Sequence, residues 1–173
     1  MKLIGSAILL LAACGDDQGA ADAEPGPCWP LDAVSGGEVE LGTGDILFEP
    51  ILATVTVIKN ASQSDPFLQV HSRIRGMPPG DPDDPFDPRN PKTKVGAVIE
   101  ELGLTLGLTC PASLGYVSSP EPDAFDMLHS LRIGFGTFPI DQVAGKQARI
   151  TIEVVGSNKR YARDEKLVVL MTP

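Results

Sequence analysis

Carboxylates, imidazoles and thiols are the side chains here with chemistry to offer, and the carboxylates have the most regular spacing. Between Pro79 and Pro91 a proline stands at every third position, interleaved with Asp81, Asp83, Asp84, Phe86, Asp87, Arg89 and Asn90. That period equals one turn of a polyproline II helix, so the run reads as a stiff, proline-rich spine. Prolines fill one edge, Asp81, Asp84, Asp87 and Asn90 a second, and Gly80, Asp83, Phe86 and Arg89 the third. Four of these residues, Asp81, Asp83, Asp84 and Asp87, suggest calcium, which collects roughly six to eight oxygens. The spine opposes that use, because aspartates along one edge stand about 9 Å apart. Oxygens sharing one ion lie within about 5 Å of each other. Only Asp83 and Asp84, or a sharply bent loop, would then share a cation. The remaining uses are a rigid crossover between sheets and a strip that docks on a partner, with Phe86 as its anchor and Arg89 beside it.

The two histidines form no catalytic pattern. His71 lies on the polar side of an alternating run with Arg73 and Arg75, a solvated or carboxylate-paired position. His129 shares a side with Met127 and Leu131 and reads as a core residue. Ser72 and Ser130 each adjoin a histidine, but neighbours on a strand point to opposite faces and share no proton. The chain lacks His-Glu-x-x-His, paired Cys-x-x-Cys, a Gly-x-Ser-x-Gly elbow and a phosphate loop. A hydrolase would need two convergent carboxylates in a cleft, and spacing alone selects no such pair. Aromatic residues are 5% of the chain, too few to suggest platforms for sugars. These residues point to a non-enzymatic module with no cofactor. The alternative is a module that binds calcium or a small molecule at the loop end.

Of the three cysteines, Cys14 follows Lys2, the apolar run Leu3 to Leu11, and the small residues Ala12 and Ala13. This is the layout of an export signal, too short to cross a bilayer, which takes about 20 apolar residues. Leu11-Ala12-Ala13-Cys14 resembles the lipobox of bacterial lipoproteins. The resemblance implies cleavage after Ala13, diacylation of the Cys14 sulfur and acylation of its new amino group, and several acyl chains anchor stably. An ordinary cleaved signal with a chance cysteine is the other reading. The implied location is the cell envelope, the outer membrane ahead of the inner, with Gly15-Asp16-Asp17 leaving the sorting open. With Cys14 acylated, Cys28 and Cys110 are the thiols left in an exported chain, and they are expected to form a disulfide.

The formal charge of −9 becomes −10 when residues 1–13 leave with Lys2. Such an acidic chain is unsuited to nucleic acid or anionic headgroups, so membrane attachment would rest on lipid. The expected organisation is a signal at 1–13, the lipidated Cys14 with a flexible tether at 14–27, and one domain at 28–173. The tether holds no large apolar residue and cannot bury a core. Trp29, beside Cys28, reads as part of the core.

The elements that must position these groups are strands. Apolar residues recur with period two at Val39 and Leu41, at Ile46 to Phe48, at Ala53, Val55 and Val57, and at Leu68, Val70 and Ile74. The pattern resumes at Val95, Ala97 and Ile99, then at Leu104, Leu106 and Leu108, with Cys110 on the same, buried side. Met127, Leu131, Ile133 and Phe135 read as one strand. A hairpin follows: Ala148 to Val154, a turn at Gly156 to Arg160, and Lys166 to Met171, apolar enough to predict a central, two-sided strand. One helical turn is expected at Ile140 to Val143, and no long amphipathic helix. Roughly eight to ten short strands define an all-β chain, a two-sheet antiparallel β-sandwich. The hairpin from Ala148 to Met171 resembles the last two strands of immunoglobulin-like modules in bacterial surface proteins. That implies an immunoglobulin-like sandwich with an adhesion, assembly or structural role, its partner an envelope or extracellular protein.

Overall fold

The computed structural model describes Cys28, residues 32–59 and residues 65–172. The signal segment, Cys14, the tether and Trp29 lie outside the described residues. In chain order the strands are β1 (Val34–Ser35), β2 (Glu38–Thr43), β3 (Glu49–Pro50), β4 (Thr54–Thr56), β5 (Phe67–Arg75) and β6 (Lys92–Ile99). Next come β7 (Leu104–Gly107), β8 (Ala112–Ser113), β9 (Tyr116–Ser118), β10 (Ala124–Met127) and β11 (Leu131–Gly134). The hairpin of β12 (Gln147–Val155) and β13 (Arg160–Met171) ends the domain. The helical pieces among the described residues are two 3-10 turns, Glu100–Leu102 and Ile140–Gln142, the second where a helical turn is predicted.

Alternation becomes burial. Along β6, Thr93, Val95, Ala97 and Ile99 are buried while Lys92, Lys94, Gly96 and Val98 are partly exposed. One sheet runs β1-β13-β12-β6-β7, with β4 also on β13 and β8 also on β6. The other runs β3-β2-β5-β10-β9, with β11 also on β5. Inner-face residues from both sheets, including Val70, Ile74, Ile99, Ile150, Ile152 and Leu170, form one core, each such side chain contributing about 1.5–3 kcal/mol by leaving water. The chain is therefore a two-sheet β-sandwich. Its pairs are antiparallel except that β1 and β4 both run parallel to β13.

Polar contacts also join the sheets. The Tyr116 hydroxyl lies 3.0 Å from both the Ser72 hydroxyl on β5 and the Thr93 hydroxyl on β6, all three groups buried. Between the segments of β13 taken by β1 and β4, Asp164 reaches across, and its carboxylate accepts the Leu41 N–H at 2.8 Å. That contact satisfies a donor on the open edge of β2, where an unpaired amide would otherwise be left.

Four sequence expectations need correction. Ile46 to Phe48 is a bend, with Ile46 and Leu47 exposed at 74% and 71% and Phe48 alone covered. Gly44, at φ +102°, turns the chain early and makes this stretch the tip of the β2–β3 hairpin. Met127 to Phe135 is not one strand, because four residues, Met127 to Ser130, stand opposite only His71 and Ser72 of β5. This bulge separates β10 from β11. β13 is one-sided, with Val168 and Leu170 inside and Leu167 and Met171 outside, since strands flank it laterally but among the described residues no element covers its outer face. Cys110 is exposed beyond the end of β7, past Leu108, the last residue to keep the alternation of Leu104 and Leu106. The expected disulfide is present: Cys28 and Cys110 are joined with their Cα atoms 5.2 Å apart.

Candidate functional site

The proline-rich loop is built from a repeated tripeptide, Asp-Pro-x, ending in Asn90. Asp favours the first position of a β-turn and Pro the second, and an Asp side chain readily accepts the N–H two residues on. All three repeats do so. Asp81 accepts from the Asp83 N–H at 3.0 Å, Asp84 from the Phe86 N–H at 2.9 Å, and Asp87 from the Arg89 N–H at 2.8 Å. The backbone closes the turns as well, the Asp87 N–H donating to the Asp84 carbonyl and the Asn90 N–H to the Asp87 carbonyl. The run is thus a chain of turns and not the extended spine predicted above. Turns that share their end residues also repeat every three residues. The acceptor side chain before each proline selects them over polyproline II, which has no internal hydrogen bonds.

Asn90 fastens the loop from beneath. Buried, it accepts the Asp81 N–H through Oδ1 at 2.7 Å and donates through Nδ2 to the Asp84 carbonyl at 2.7 Å. Outside the turns, Tyr116 N–H donates to the Pro79 carbonyl and Leu114 N–H to the Pro91 carbonyl. Gly115 lies so close to the Asp81 and Pro82 backbone that a side chain there would have no room. On this base Phe86 stands 90% exposed, contrary to the habit of a lone loop phenylalanine of folding back onto its domain. Asp83 and Asp84 are exposed beside it. Arg89 is turned back onto the buried Asp87, Nη2 to Oδ2 at 2.5 Å, and this partner holds the Asp87 carboxyl below its ordinary range.

The four aspartates considered for calcium are not gathered. Asp81, Asp84 and Asp87 each spend an oxygen on a turn N–H. Among the described residues no three His, Cys, Asp or Glu side chains are grouped so as to hold a metal ion.

The histidines exchange the environments expected of them. His129 is exposed, carried out on the bulge, and His71 is completely buried although it points away from the core. Its cover is Phe48, which the β2–β3 hairpin folds over the outer face of β5, with ring centroids 6.0 Å apart and an edge-on angle of 73°. Arg73 completes this cluster. Its guanidinium stacks 4.3 Å from the Phe48 centroid and is bound to Asp126 at 2.6 and 3.1 Å, while Glu121 bridges Arg73 and Arg75. Asp126 raises the Arg73 pKa further. Burial lowers the His71 pKa, against smaller upward pulls from the Ser72 backbone and Asp126. Neither His71 ring nitrogen makes a hydrogen bond of acceptable geometry. His71 has no exposed surface, so its ring does not face solvent in this arrangement.

A shallow groove of about 370 Å³ crosses the outer face of the first sheet, where Gly96 and Gly107 face each other and leave a gap between Thr105 and Thr151. Lys94 and Glu153 stand opposite in register at one end. The groove is open and brings no convergent polar groups to a point, as a small-molecule site would.

The sequence places Asn90 on one edge of the loop and His71 beside Arg73 on a polar face, but not Asn90 as the brace of the turns nor Phe48 as the cover of His71. The Asn90 signal was present, since Asp-Pro-Arg-Asn closes the last repeat with an amide that both donates and accepts. Nothing local announces that Phe48 covers His71. Among the described residues no helix is long and apolar enough to cross a membrane. Comparison with known proteins finds no matching family model, no matching curated protein and no matching solved structure.

Proposed function

We propose that this protein is a non-enzymatic interaction module, tethered to the cell envelope by lipid on Cys14, that docks on an envelope or extracellular protein through Phe86. The observation that carries the reading is Phe86, 90% exposed on a loop braced by three aspartate turns and a buried asparagine. A backbone braced before contact loses little freedom on binding, and aromatic rings dominate binding energy when they enter a pocket. The exposed Asp83 and Asp84 suit a partner whose apolar pocket is rimmed with basic groups. The tether draws its support from Leu11-Ala12-Ala13-Cys14 and from a net charge of −9, which does not favour attachment to anionic headgroups.

A photoreactive phenylalanine analogue at position 86, in cells making the full chain, tests the docking surface. Position 167 is the control, an exposed leucine on the outer face of the first sheet. A discrete protein adduct from position 86 and none from 167 is expected. Adducts of equal yield at both positions, or none at 86, would refute the assignment. Intact mass of the membrane-extracted protein tests the anchor: an acylated Cys14 terminus supports it and an unprocessed Met1 terminus overturns it.

A further inference from the structure

We infer that His71 and Phe48 form an acid-triggered flap, in which protonation of the imidazole releases the β2–β3 hairpin from the outer face of the second sheet. This stands apart from the Phe86 reading and rests on a different part of the molecule. His71 has no exposed surface and both of its ring nitrogens lack partners. A buried imidazole in that state is tolerable only when neutral, because a buried cation needs a counter-charge or acceptors. The Ser72 backbone favours the charged ring by less than burial opposes it, and the side chains around the ring do not supply the rest. Arg73 on β5, two residues along on the same face, repels a second cation, and Asp126 on β10 already gives both carboxylate oxygens to Arg73. Glu121, before β10, is committed to Arg73 and Arg75, while Glu40 of β2 lies near Arg75 at 3.8 Å. On the hairpin, Asp45 bonds Gln69 and Glu49 is exposed; on the bulge, His129 is exposed.

The cover is also lightly held. β3 pairs with β2 at only two positions, Gly42 with Pro50 and Thr43 with Glu49. Gly42 lies directly beneath the Phe48 ring, where any side chain would collide with it. The closed form therefore depends on Phe48 remaining seated on His71 and Arg73. Opening places Phe48 in solvent next to Ile46 and Leu47, which are already exposed, and creates a continuous apolar segment.

The sign follows from linkage. Burial holds the His71 pKa below its ordinary 6.5 in the closed form, and a solvated His71 in the open form returns toward that ordinary value. The closed form is thus fully favoured above about pH 6.5, and below it the open form takes up the proton first. The open-to-closed ratio then rises by up to about tenfold per pH unit until the closed-state pKa is reached.

The test is amide hydrogen exchange across residues 42–50 of the full chain in detergent, corrected for intrinsic rate, at about pH 7.5 and about pH 5. Exchange should accelerate at least several-fold at the lower pH, with parallel binding of a hydrophobic dye. His71→Phe should abolish that dependence, and Phe48→Ala should give fast exchange at both pH values. Equal protection at both pH values in the unaltered protein, or an undiminished pH dependence in His71→Phe, would overturn the proposal. NMR of the imidazole signals in the unaltered protein gives a measurement free of variants. The His71 titration should coincide with loss of protection at Thr43 to Glu49, and titration without that loss contradicts the flap.

Discussion

Asn90 does more for the candidate docking surface than its size suggests. One buried amide accepts from Asp81 and donates to the Asp84 carbonyl, so it fixes two of the three turns that carry Phe86. Asn90→Ala removes both bonds and leaves the partly buried Asp81 N–H without its acceptor, while the Asp84 carbonyl keeps the Asp87 N–H, an expected loss of about 1–3 kcal/mol in urea unfolding. The loop amides should also lose protection while the strands keep theirs. At this scale the sequence was half legible. The three-residue period of the prolines was visible, but overlapping turns and polyproline II share that period, and the aspartate before each proline decides between them. His71 was placed on the correct side of its strand. An outward-facing residue is solvated only if nothing folds over it, and Phe48 folds over this one.

Among the elements, β5 shows how a half-exposed strand becomes buried on both faces. Its inner residues Leu68, Val70 and Ile74 follow plain alternation, and that much could be read directly. Its outer residues are covered by Phe48 from a hairpin some twenty residues earlier and clamped by Asp126 from β10, contacts that no local pattern encodes. The bulge between β10 and β11 has no glycine or proline in Met127 to Ser130 to announce it. Asp126→Asn should cost about 3 kcal/mol in chemical denaturation, the low end for a broken buried pair because Glu121 still holds Arg73. Replacing both partners together, Arg73→Met with Asp126→Leu, should recover most of that loss, since no charge is then left stranded. A double variant as unstable as Asp126→Asn would show that packing, and not the ion pair, sets the cost.

For the molecule as a whole, the all-β class and the two-sheet arrangement were legible because period-two alternation and turn residues report on them directly. The parallel docking of β1 and β4 on β13 was not, since strand order depends on contacts between distant segments. The Cys28–Cys110 bond spans 82 residues of sequence and ties the start of the domain to the edge beyond β7. Cys28→Ser with Cys110→Ser should lower stability by about 2–4 kcal/mol, chiefly by freeing the unfolded chain. The denaturation midpoint of the unaltered protein should fall similarly on adding reductant, and an unmoved midpoint would deny the bond a stabilising role. The central claim is that Phe86 is displayed by a rigid support. Backbone ¹⁵N relaxation of Asp83, Asp84, Phe86, Asp87 and Arg89 addresses it most directly. Order parameters near the ~0.85 typical of rigid backbone are predicted there, and values below ~0.6 would mean a floppy loop and contradict the account.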